Sequence, residues 1–304
     1  MRAYAIRSAL RRVAAAVLST LPRFRGKGRI TLLIDRLVTN SDDPRSYITV
    51  GRVNGGGVMS FDLRGWGQKF AFYYGEWEPA HVRALRRLYR GGTFLDIGSS
   101  LGLYPVSLGR DVAACGGRIV AVEPVPLNLE RQAVNLRLNG LESLVTVLPV
   151  GLGSADGELR ISVDPTGADN NALISVEGNA VVPIRRLDDV VAELGIDDIT
   201  LIKIDVEGFE PEVLKGGRET IRHMLPVIFA EFNRERMRIN GFTMDESWDF
   251  LGSCGYRAYR LIGDRFEEVT APGELEDLYF IPGALTAAYA GAAAAASALR
   301  STRG

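Results

Sequence analysis

The 304-residue sequence has few cysteines, and its only two, Cys115 and Cys254, lie far apart in apolar-to-glycine surroundings. This pattern is typical of two reduced structural thiols in a cytoplasmic protein, so neither a disulfide framework nor a cysteine metal site is expected. The chain is long enough to bury a substantial core without such bonds. It also lacks a basic excess, since 36 Lys and Arg stand against 37 Asp and Glu for a net charge of −1. A general nucleic-acid binder is therefore not expected, because its surface would carry a positive excess.

The N-terminal segment lacks a hydrophobic run long enough to span a membrane. Its longest uncharged run is VAAAVLSTLP, residues 13–22, and no convincing cleavage pattern follows it. Neither a membrane anchor nor a secretory signal is expected here. At the other end, residues 283–304 are rich in alanine without a large apolar stripe, which indicates a marginal helix or a tail.

The first 30 residues combine positive charge with a helical apolar pattern. No acidic residue precedes Asp35, whereas eight basic ones do: Arg2, Arg7, Arg11, Arg12, Arg23, Arg25, Lys27 and Arg29. Apolar residues recur at intervals of three and four, on one stripe of a helix: Ile6, Leu10, Val13, Val17 and Leu21. We expect this amphipathic helix to pack on the domain or to fray. The alternative is that residues 1–28 lie on an anionic membrane surface, which would place the protein at the inner face of the membrane.

The middle of the chain alternates short apolar runs with segments of helical spacing. The expected strands are 93–97, 118–122, 144–152, the start of 201–217, 225–233, 256–262 and 277–282. Segments 158–163 and 180–184 alternate in the strand period, which indicates a small antiparallel insertion. The alternation of strand and helix predicts a doubly wound α/β fold, with a mostly parallel sheet and helices on both faces. Such sheets bind ligands beyond the carboxyl ends of their strands.

Polar residues at the ends of the first two strands indicate a nucleoside site. In FLDIGSSLG, Asp96 is followed by Gly98 and Gly102, which let the backbone approach a ligand closely. A pyrophosphate site would require GxGxxG and would be repelled by the acid, whereas a cationic ligand is favoured. Glu123 in AVEP can accept hydrogen bonds from both hydroxyls of a ribose. The pattern predicts S-adenosylmethionine as cofactor, bound by Asp96, Gly98, Ser99, Gly102, Glu123 and Pro124.

Five stretches, in this order, carry a family resemblance: FLDIGSSLGLY, VAVEPVPLNLERQAVNLRLNG, GLGSADGELRI, PIRRLDDVV and LIKIDVEGFEPEVLKGG. Together with YYGEWEP, they resemble the FkbM family of S-adenosylmethionine-dependent methyltransferases over roughly residues 70–282. The resemblance implies the class I methyltransferase fold with a seven-stranded sheet, and methyl transfer to a hydroxyl oxygen of a sugar, glycolipid or polyketide. The sequence departs from the family in having Ser99 and Ser100 where a small residue and an amide are commoner.

Carboxylates at the ends of the fourth and fifth strands are the candidate general bases. Asp205 and Glu207 end the fourth strand, and Glu231 ends the fifth. Lys203 lies two positions before Asp205 on the same face, where it can pair with an acid and hold it ionised. The expected catalytic residues are therefore Asp205, Glu207, Lys203 and Glu231, and the favoured mechanism uses Asp205 or Glu207 as base without a metal.

A metal-assisted mechanism is the alternative. Asp205, Glu231 and Asn233 form an oxygen-rich set that could hold Mg²⁺ and lower the pKa of a bound hydroxyl. Neither histidine, His81 or His223, is expected to take part in the chemistry.

Two further groups lie near the predicted site. Three arginines follow the fifth strand and could bind an acidic acceptor, although a solvated helix start is favoured: Arg234, Arg236 and Arg238. Four aromatic residues precede the core and would suit either a sugar-stacking wall or simple packing: Trp66, Tyr73, Tyr74 and Trp77.

We expect three segments: a basic extension with lead-in strands at 1–69, the methyltransferase domain at 70–282 and the tail at 283–304. The predicted function is an S-adenosylmethionine-dependent O-methyltransferase of a carbohydrate, glycolipid or related natural product. The alternative is a protein that binds the donor without turnover and serves as a partner at a membrane.

Overall fold

The computed structural model describes residues 2–22, 24–39, 44–166, 172–175, 177–271, 273 and 275–286. The helices are α1 (Arg2–Thr20), α2 (Lys27–Val38), α3 (Trp66–Tyr74), α4 (Pro79–Leu88), α5 (Leu103–Ala114), α6 (Pro126–Asn139), α7 (Leu187–Glu193), α8 (Glu210–Gly216), α9 (Arg218–Met224), α10 (Arg234–Ile239) and α11 (Asp245–Ser253). The strands are β1 (Ile48–Val53), β2 (Gly57–Asp62), β3 (Thr93–Ile97), β4 (Arg118–Val122), β5 (Val145–Leu148), β6 (Gly151–Gly153), β7 (Gly157–Val163), β8 (Ala172–Ile174), β9 (Ala180–Arg186), β10 (Ile199–Ile204), β11 (Val227–Asn233), β12 (Tyr256–Ile262), β13 (Arg265–Val269) and β14 (Leu275–Pro282).

The central sheet has eight strands in the order β13-β12-β14-β11-β10-β3-β4-β5. Strands β3, β4, β5, β10 and β11 pair in parallel, whereas β14 is antiparallel to both of its neighbours. The expected seven-stranded sheet is thus wrong by one strand. The extra strand, β13, forms an antiparallel hairpin with β12 around Gly263. Its sequence RFEEV is short, charged and largely exposed, so it carries no hydrophobic strand pattern.

Two hydrophobic clusters cover the two faces of this sheet. One joins the strands to α4 and α5, and the other joins them to α7, α8 and α11. β3 is buried along its whole length, as expected for a parallel strand covered on both faces. This α/β arrangement brings the carboxyl ends of β3, β4, β10 and β11 to one edge of the sheet.

The insertion is a separate four-stranded sheet with the order β6-β9-β7-β8. Strand β7 pairs antiparallel with β8 and β9, but β6 pairs in parallel with β9. The expectation of a purely antiparallel insertion was therefore incomplete. The run predicted as one strand at 144–152 is divided between β5 in the central sheet and β6 in this second sheet.

The N-terminal helix packs against α3 and α2, but not through the predicted apolar stripe. Its buried face carries Arg11, Ala15 and Leu18 instead. The guanidinium of Arg11 donates to Thr39 Oγ1 at 2.9 Å and to the backbone oxygen of Ser46, which compensates for its burial. The stripe residues Ile6, Leu10, Val13, Val17 and Leu21 are all exposed.

No helix among the described residues is both long enough and apolar enough to cross a membrane. The alanine-rich tail predicted at 283–304 lies outside the described residues apart from 283–286.

Candidate active site

The glycine turn after β3 packs directly on the end of β10. Gly98 has φ +73°, and a Cβ built on it would lie 1.8 Å from the backbone oxygen of Asp205. Only glycine fits such an approach, because a side chain would displace the neighbouring strand end. The amides of Gly98 and Ser99 both donate to the Val122 oxygen at 3.0 Å. The turn is thereby held between the ends of β4 and β10.

The second part of the turn leads into α5. Ser99 is buried, and its Oγ accepts a hydrogen bond from Gln132 Nε2 at 2.6 Å. Gly102 has φ +79° and precedes the first residue of α5. A Cβ there would lie 3.1 Å from the Gln132 side chain. Ser99 therefore holds the loop against α6, whereas Ser100 lines a pocket that Glu123 and Asp205 also line.

Glu123 lies at the end of β4 and is almost fully buried. Its carboxylate accepts hydrogen bonds from the amides of Ser100 and Val125 at 2.8 and 2.9 Å, and from Asn128 Nδ2 at 3.2 Å. Burial raises the pKa of Glu123, whereas these hydrogen bonds act in the opposite direction. The three donors fix its orientation beside Pro124.

Lys203 is buried at the centre of an acidic group. Its Nζ lies 3.6 Å from Asp96 Oδ1 and 3.4 Å from Asp205 Oδ2, and it donates to the Gly98 oxygen at 2.7 Å. Burial by itself would lower the pKa of Lys203, but the charges of Asp205, Asp96 and Glu78 raise it above its ordinary value. The ammonium group therefore stays charged and links the ends of β3 and β10.

Asp96 lies beneath the glycine loop and does not line the pocket. The residue is fully buried, and the side chains of Ser99 and Lys203 are its polar neighbours. Burial raises the pKa of Asp96, although Lys203 acts against this effect. In the structure its nearest charged partner is thus Lys203.

The segment after β10 turns sharply and places Glu207 next to Arg236. Glu207 has φ +59° and forms an ion pair with the Arg236 guanidinium. Glu210, at the start of α8, is fully buried, and its Oε1 accepts the amides of Val206 and Gly208 at 3.1 Å. Burial raises the pKa of Glu210 to about 7. These contacts stabilise the turn that carries Asp205 and Glu207 past the strand end.

Glu231 stands at the end of β11 among other acids. Burial, followed by the charges of Asp205, Asp277 and Glu78, raises its pKa to about 8. Asp277 is its direct register partner on β14. A carboxyl group in such surroundings holds its proton near neutral pH and is a strong base once it is ionised.

The sequence did not predict a role for three residues near Glu231: Glu78, His81 and Asp277. Glu78 accepts a hydrogen bond from the Tyr104 hydroxyl, and its charge acts on Lys203 and Glu231. His81 Nε2 lies 3.0 Å from Asp277 Oδ2, and the ring stacks on Phe229 at 4.9 Å. The only sequence feature that pointed to any of these residues was the stretch YYGEWEP, which contains Glu78. His223, in contrast, is exposed at the end of α9.

One pocket joins the glycine turn, Glu123 and the end of β10. It encloses about 790 Å³ of space, including space open to solvent. Its polar lining comes from Gly98, Ser100, Glu123, Asp205 and Glu207. The second sheet supplies an apolar wall opposite: Leu159, Ile161, Ala172, Ile174, Val182 and Ile184.

The structure gives no support to a magnesium site at Asp205, Glu231 and Asn233. Asn233 caps α10, and its Oδ1 accepts the Arg236 amide at 3.1 Å. Within the part of the chain that the structure describes, no group of three or more His, Cys, Asp or Glu side chains is arranged to hold a metal. The magnesium alternative therefore receives no support from the arrangement of donors.

The arginines after β11 differ in their surroundings. Arg236 pairs with the predicted site residue Glu207, whereas Arg234 lies 3.9 Å from Asp245 and Arg238 is exposed.

The predicted aromatic residues are dispersed. The Tyr73 hydroxyl is buried against Asp35, Lys27 lies over the Tyr74 ring at 4.6 Å, and Trp66 is 66% exposed. Trp77 exchanges two hydrogen bonds with Asn54. Tyr73 and Tyr74 therefore pack against the N-terminal helices instead of forming a wall at the pocket.

Cys115 and Cys254 are both free thiols.

Comparison with known proteins places these features in a family context. The sequence model for the methyltransferase FkbM domain matches residues 96–258. The chain is 29% identical over 177 residues to methyltransferase sdnD of Sordaria araneosa, covering 48% of this chain and 68% of that protein. It is 29% identical over 123 residues to hexuronic acid methyltransferase AglP of Haloferax volcanii, covering 40% and 48% respectively.

Two further matches are partial. The chain is 44% identical over 64 residues to 2-O-methyltransferase NoeI of Sinorhizobium fredii, covering 21% of this chain and 26% of that protein. A crystal structure of an FkbM methyltransferase from Methylobacillus flagellatus is similar with a TM-score of 0.43 and 18% identity, covering 92% of this chain and 58% of that one. The match thus spans about half or less of AglP and NoeI, and less than two thirds of the solved structure.

Proposed function

The chain belongs to the FkbM methyltransferase family, and on that basis we propose that it is an S-adenosylmethionine-dependent O-methyltransferase. We propose as its acceptor a hydroxyl group of a carbohydrate, glycolipid or related natural product. The observation that carries this proposal is the shared pocket, in which the glycine turn, Glu123 and the carboxylates after β10 face one another. This pocket would hold the donor, and Glu231, which does not line it but interacts electrostatically with the lining residue Asp205, would act on the acceptor.

The chemistry of the lining suits the donor. Glu123 offers two carboxylate oxygens for the hydroxyls of a ribose, and the apolar wall of the second sheet suits an adenine ring. Asp205 offers negative charge to a sulfonium and an ammonium group. The residues that would hold the donor are thus Gly98, Ser100, Glu123 and Asp205.

When bound, S-adenosylmethionine supplies an activated methyl group. The protein then has to align the acceptor hydroxyl and remove its proton as the oxygen takes the methyl group. A base is most effective when its pKa lies near the working pH. Glu231, with its pKa raised to about 8, meets this condition, whereas Asp205 and Glu207 are engaged in ion pairs with Lys203 and Arg236.

We therefore propose that Glu231 accepts the hydroxyl proton. The ion pair between Asp205 and Lys203 holds the end of β10 in place. The ion pair with Arg236 holds Glu207 at the pocket. The acidic neighbours that raise the pKa of Glu231 make its ionised form a stronger base.

Donor binding is the direct test. Titration calorimetry of the wild-type protein should show binding of S-adenosylmethionine, and Glu123→Gln should weaken it roughly 10- to 100-fold, because a hydrogen bond to a charged group contributes about 1.5–3 kcal/mol. The matched control is Glu142→Gln, since Glu142 is an exposed glutamate outside the pocket. The absence of binding to folded wild-type protein at high micromolar donor would rule out the proposed cofactor.

The acceptor class is tested by product analysis. The names of AglP and NoeI, a hexuronic acid methyltransferase and a 2-O-methyltransferase, favour sugar hydroxyls as first candidates. We expect mass spectrometry to detect one added methyl group on a hexuronic acid or hexose acceptor. Donor binding without transfer to any hydroxyl acceptor would favour the non-catalytic alternative.

A further inference from the structure

The two N-terminal helices expose an unusual share of the large apolar side chains of this protein. Among the described residues, nine of the twenty exposed large hydrophobic side chains lie between residues 6 and 37. They are Ile6, Leu10, Val13, Val17, Leu21, Phe24, Ile30, Leu33 and Leu37. We call this set the N-terminal apolar surface. Scattered single residues of this type are common, but a concentration of this kind marks an interaction site.

Packing within the domain does not account for this surface. Each helix already uses another face to contact the rest of the protein, namely Arg11, Ala15 and Leu18 in α1, and Thr31 and Asp35 in α2. In α1 the exposed residues recur with the helical period, so they form a stripe of their own. Leu33 and Leu37, one turn apart in α2, are 60% and 70% exposed. The surface is therefore available for a partner.

The charges around the surface identify the chemistry of that partner. Five arginines in the same two helices and their connection are exposed: Arg7, Arg12, Arg25, Arg29 and Arg36. The one acid of this segment, Asp35, is buried, with Lys69 3.0 Å away and the Tyr73 hydroxyl 3.0 Å away. Among the residues whose burial the structure describes, the exposed part of α1 and α2 thus combines positive charge with apolar groups and carries no acid.

We propose that α1 and α2 form a docking surface for an anionic lipid bilayer. Helices that lie in the interface plane combine apolar side chains, which enter the acyl boundary, with arginines, which contact anionic headgroups. A protein partner would satisfy the apolar residues as well, but it would need a matching acidic patch. A lipid surface supplies both components together.

The position of α1 relates this surface to the segment that carries Glu78, one of the acids that act on Glu231. Helix α1 packs on α3, and Ser19 lies beside Gly75 at the end of α3, where a built Cβ would be 3.5 Å from the Ser19 Cβ; Gly75 is three residues before Glu78. Docking through α1 would hold this side of the domain near the bilayer. If the proposed function holds, the acceptor is then a lipid-linked molecule such as a glycolipid.

Vesicle sedimentation tests the proposal with the full chain and without donor or acceptor, so its outcome does not depend on the proposed function. We expect binding to vesicles of phosphatidylcholine with one quarter phosphatidylglycerol, and at least 10-fold weaker binding to pure phosphatidylcholine. The variant Leu10→Gln/Val13→Gln/Leu33→Gln should bind anionic vesicles at least 10-fold more weakly. Glutamine preserves helix propensity, and the residues are exposed, so the thermal unfolding midpoint should stay unchanged.

The matched control substitutes three exposed apolar residues elsewhere, Val134→Gln/Leu138→Gln/Ile239→Gln. It should bind vesicles like the wild type. A charge variant, Arg12→Gln/Arg29→Gln/Arg36→Gln, should also lose affinity and become less sensitive to salt.

Three results would overturn the proposal. In the first, the wild-type protein stays in solution with anionic vesicles, and in the second the apolar variant binds these vesicles as tightly as the wild type does. In the third, light scattering finds a wild-type dimer and a monomeric apolar variant without vesicle binding, which would assign the surface to a second copy of the chain.

Discussion

The protonation of the Glu231 carboxyl group depends on its surroundings. Burial, followed by the charges of its acidic neighbours, raises its pKa from an ordinary value of 4.5 to about 8. A general base has to be ionised, so kcat/KM should rise with pH and level off above about pH 8. We expect Glu231→Gln to lower kcat roughly 100-fold and to remove this pH dependence, while donor affinity in calorimetry stays the same.

The stability of the same variant separates catalysis from unfolding. Between pH 4.5 and about 8 the folded protein holds a proton on Glu231 that the unfolded chain has released. This contribution to stability is full below pH 4.5 and is lost as the pH rises through about 8. Glu231→Gln should therefore be at least as stable as the wild type at pH 8.5 in urea unfolding. A variant with unchanged kcat would show that another group accepts the proton.

The turn between β3 and α5 is an element whose geometry depends on one position. Replacing Gly98 by Ala would put a methyl group against the Asp205 carbonyl and would force a side chain into φ +73°. The left-handed conformation alone costs about 1–2 kcal/mol, and displacement of the β10 end adds to that cost. We expect Gly98→Ala to lose more than about 3 kcal/mol in urea unfolding and to abolish donor binding.

Gly116 provides the matched control for that turn. It has φ +66°, but no atom lies within 4 Å of where its Cβ would be. Gly116→Ala should therefore lose only about 1–2 kcal/mol and should keep its donor affinity. Equal losses of unfolding free energy in the two variants would mean that the close approach of Gly98 to Asp205 does not add to the cost of the substitution.

The N-terminal helices are joined to the rest of the molecule by a buried acid. Asp35 in α2 lies 3.0 Å from Lys69 and accepts hydrogen bonds from the hydroxyls of Tyr73 and Thr39. Asp35→Ala would leave these donors without their acceptor, at a cost of about 2 kcal/mol or more. We expect a lower free energy of unfolding with unchanged donor affinity, whereas Glu130→Ala, at an exposed site, should unfold like the wild type. An unchanged free energy of unfolding would contradict the role given to Asp35.

At the scale of the whole molecule, the sequence predicted the parts of the fold that depend on short stretches of neighbouring residues. The buried run Thr93–Ile97, the glycines after it and the acid in AVEP predicted a strand, a tight turn and a second parallel strand, and the family and the α/β fold were confirmed. The eighth strand, β13, was not predicted, because it is a charged, exposed hairpin strand without a hydrophobic pattern. The roles of the predicted site residues remain predictions.

The sequence by itself determined the glycine turn, the acid after β4 and the carboxylates after β10, because each depends on a backbone shape encoded within a few residues. Only the tertiary structure decided which distant groups join them. Glu78 and Asp277 come from segments far apart in the sequence, and the pKa of Glu231 depends on their charges, while His81 lies beside Asp277. The tertiary structure also decided which face of α1 is buried, since burial of Arg11 requires hydrogen-bond partners that only the folded chain supplies.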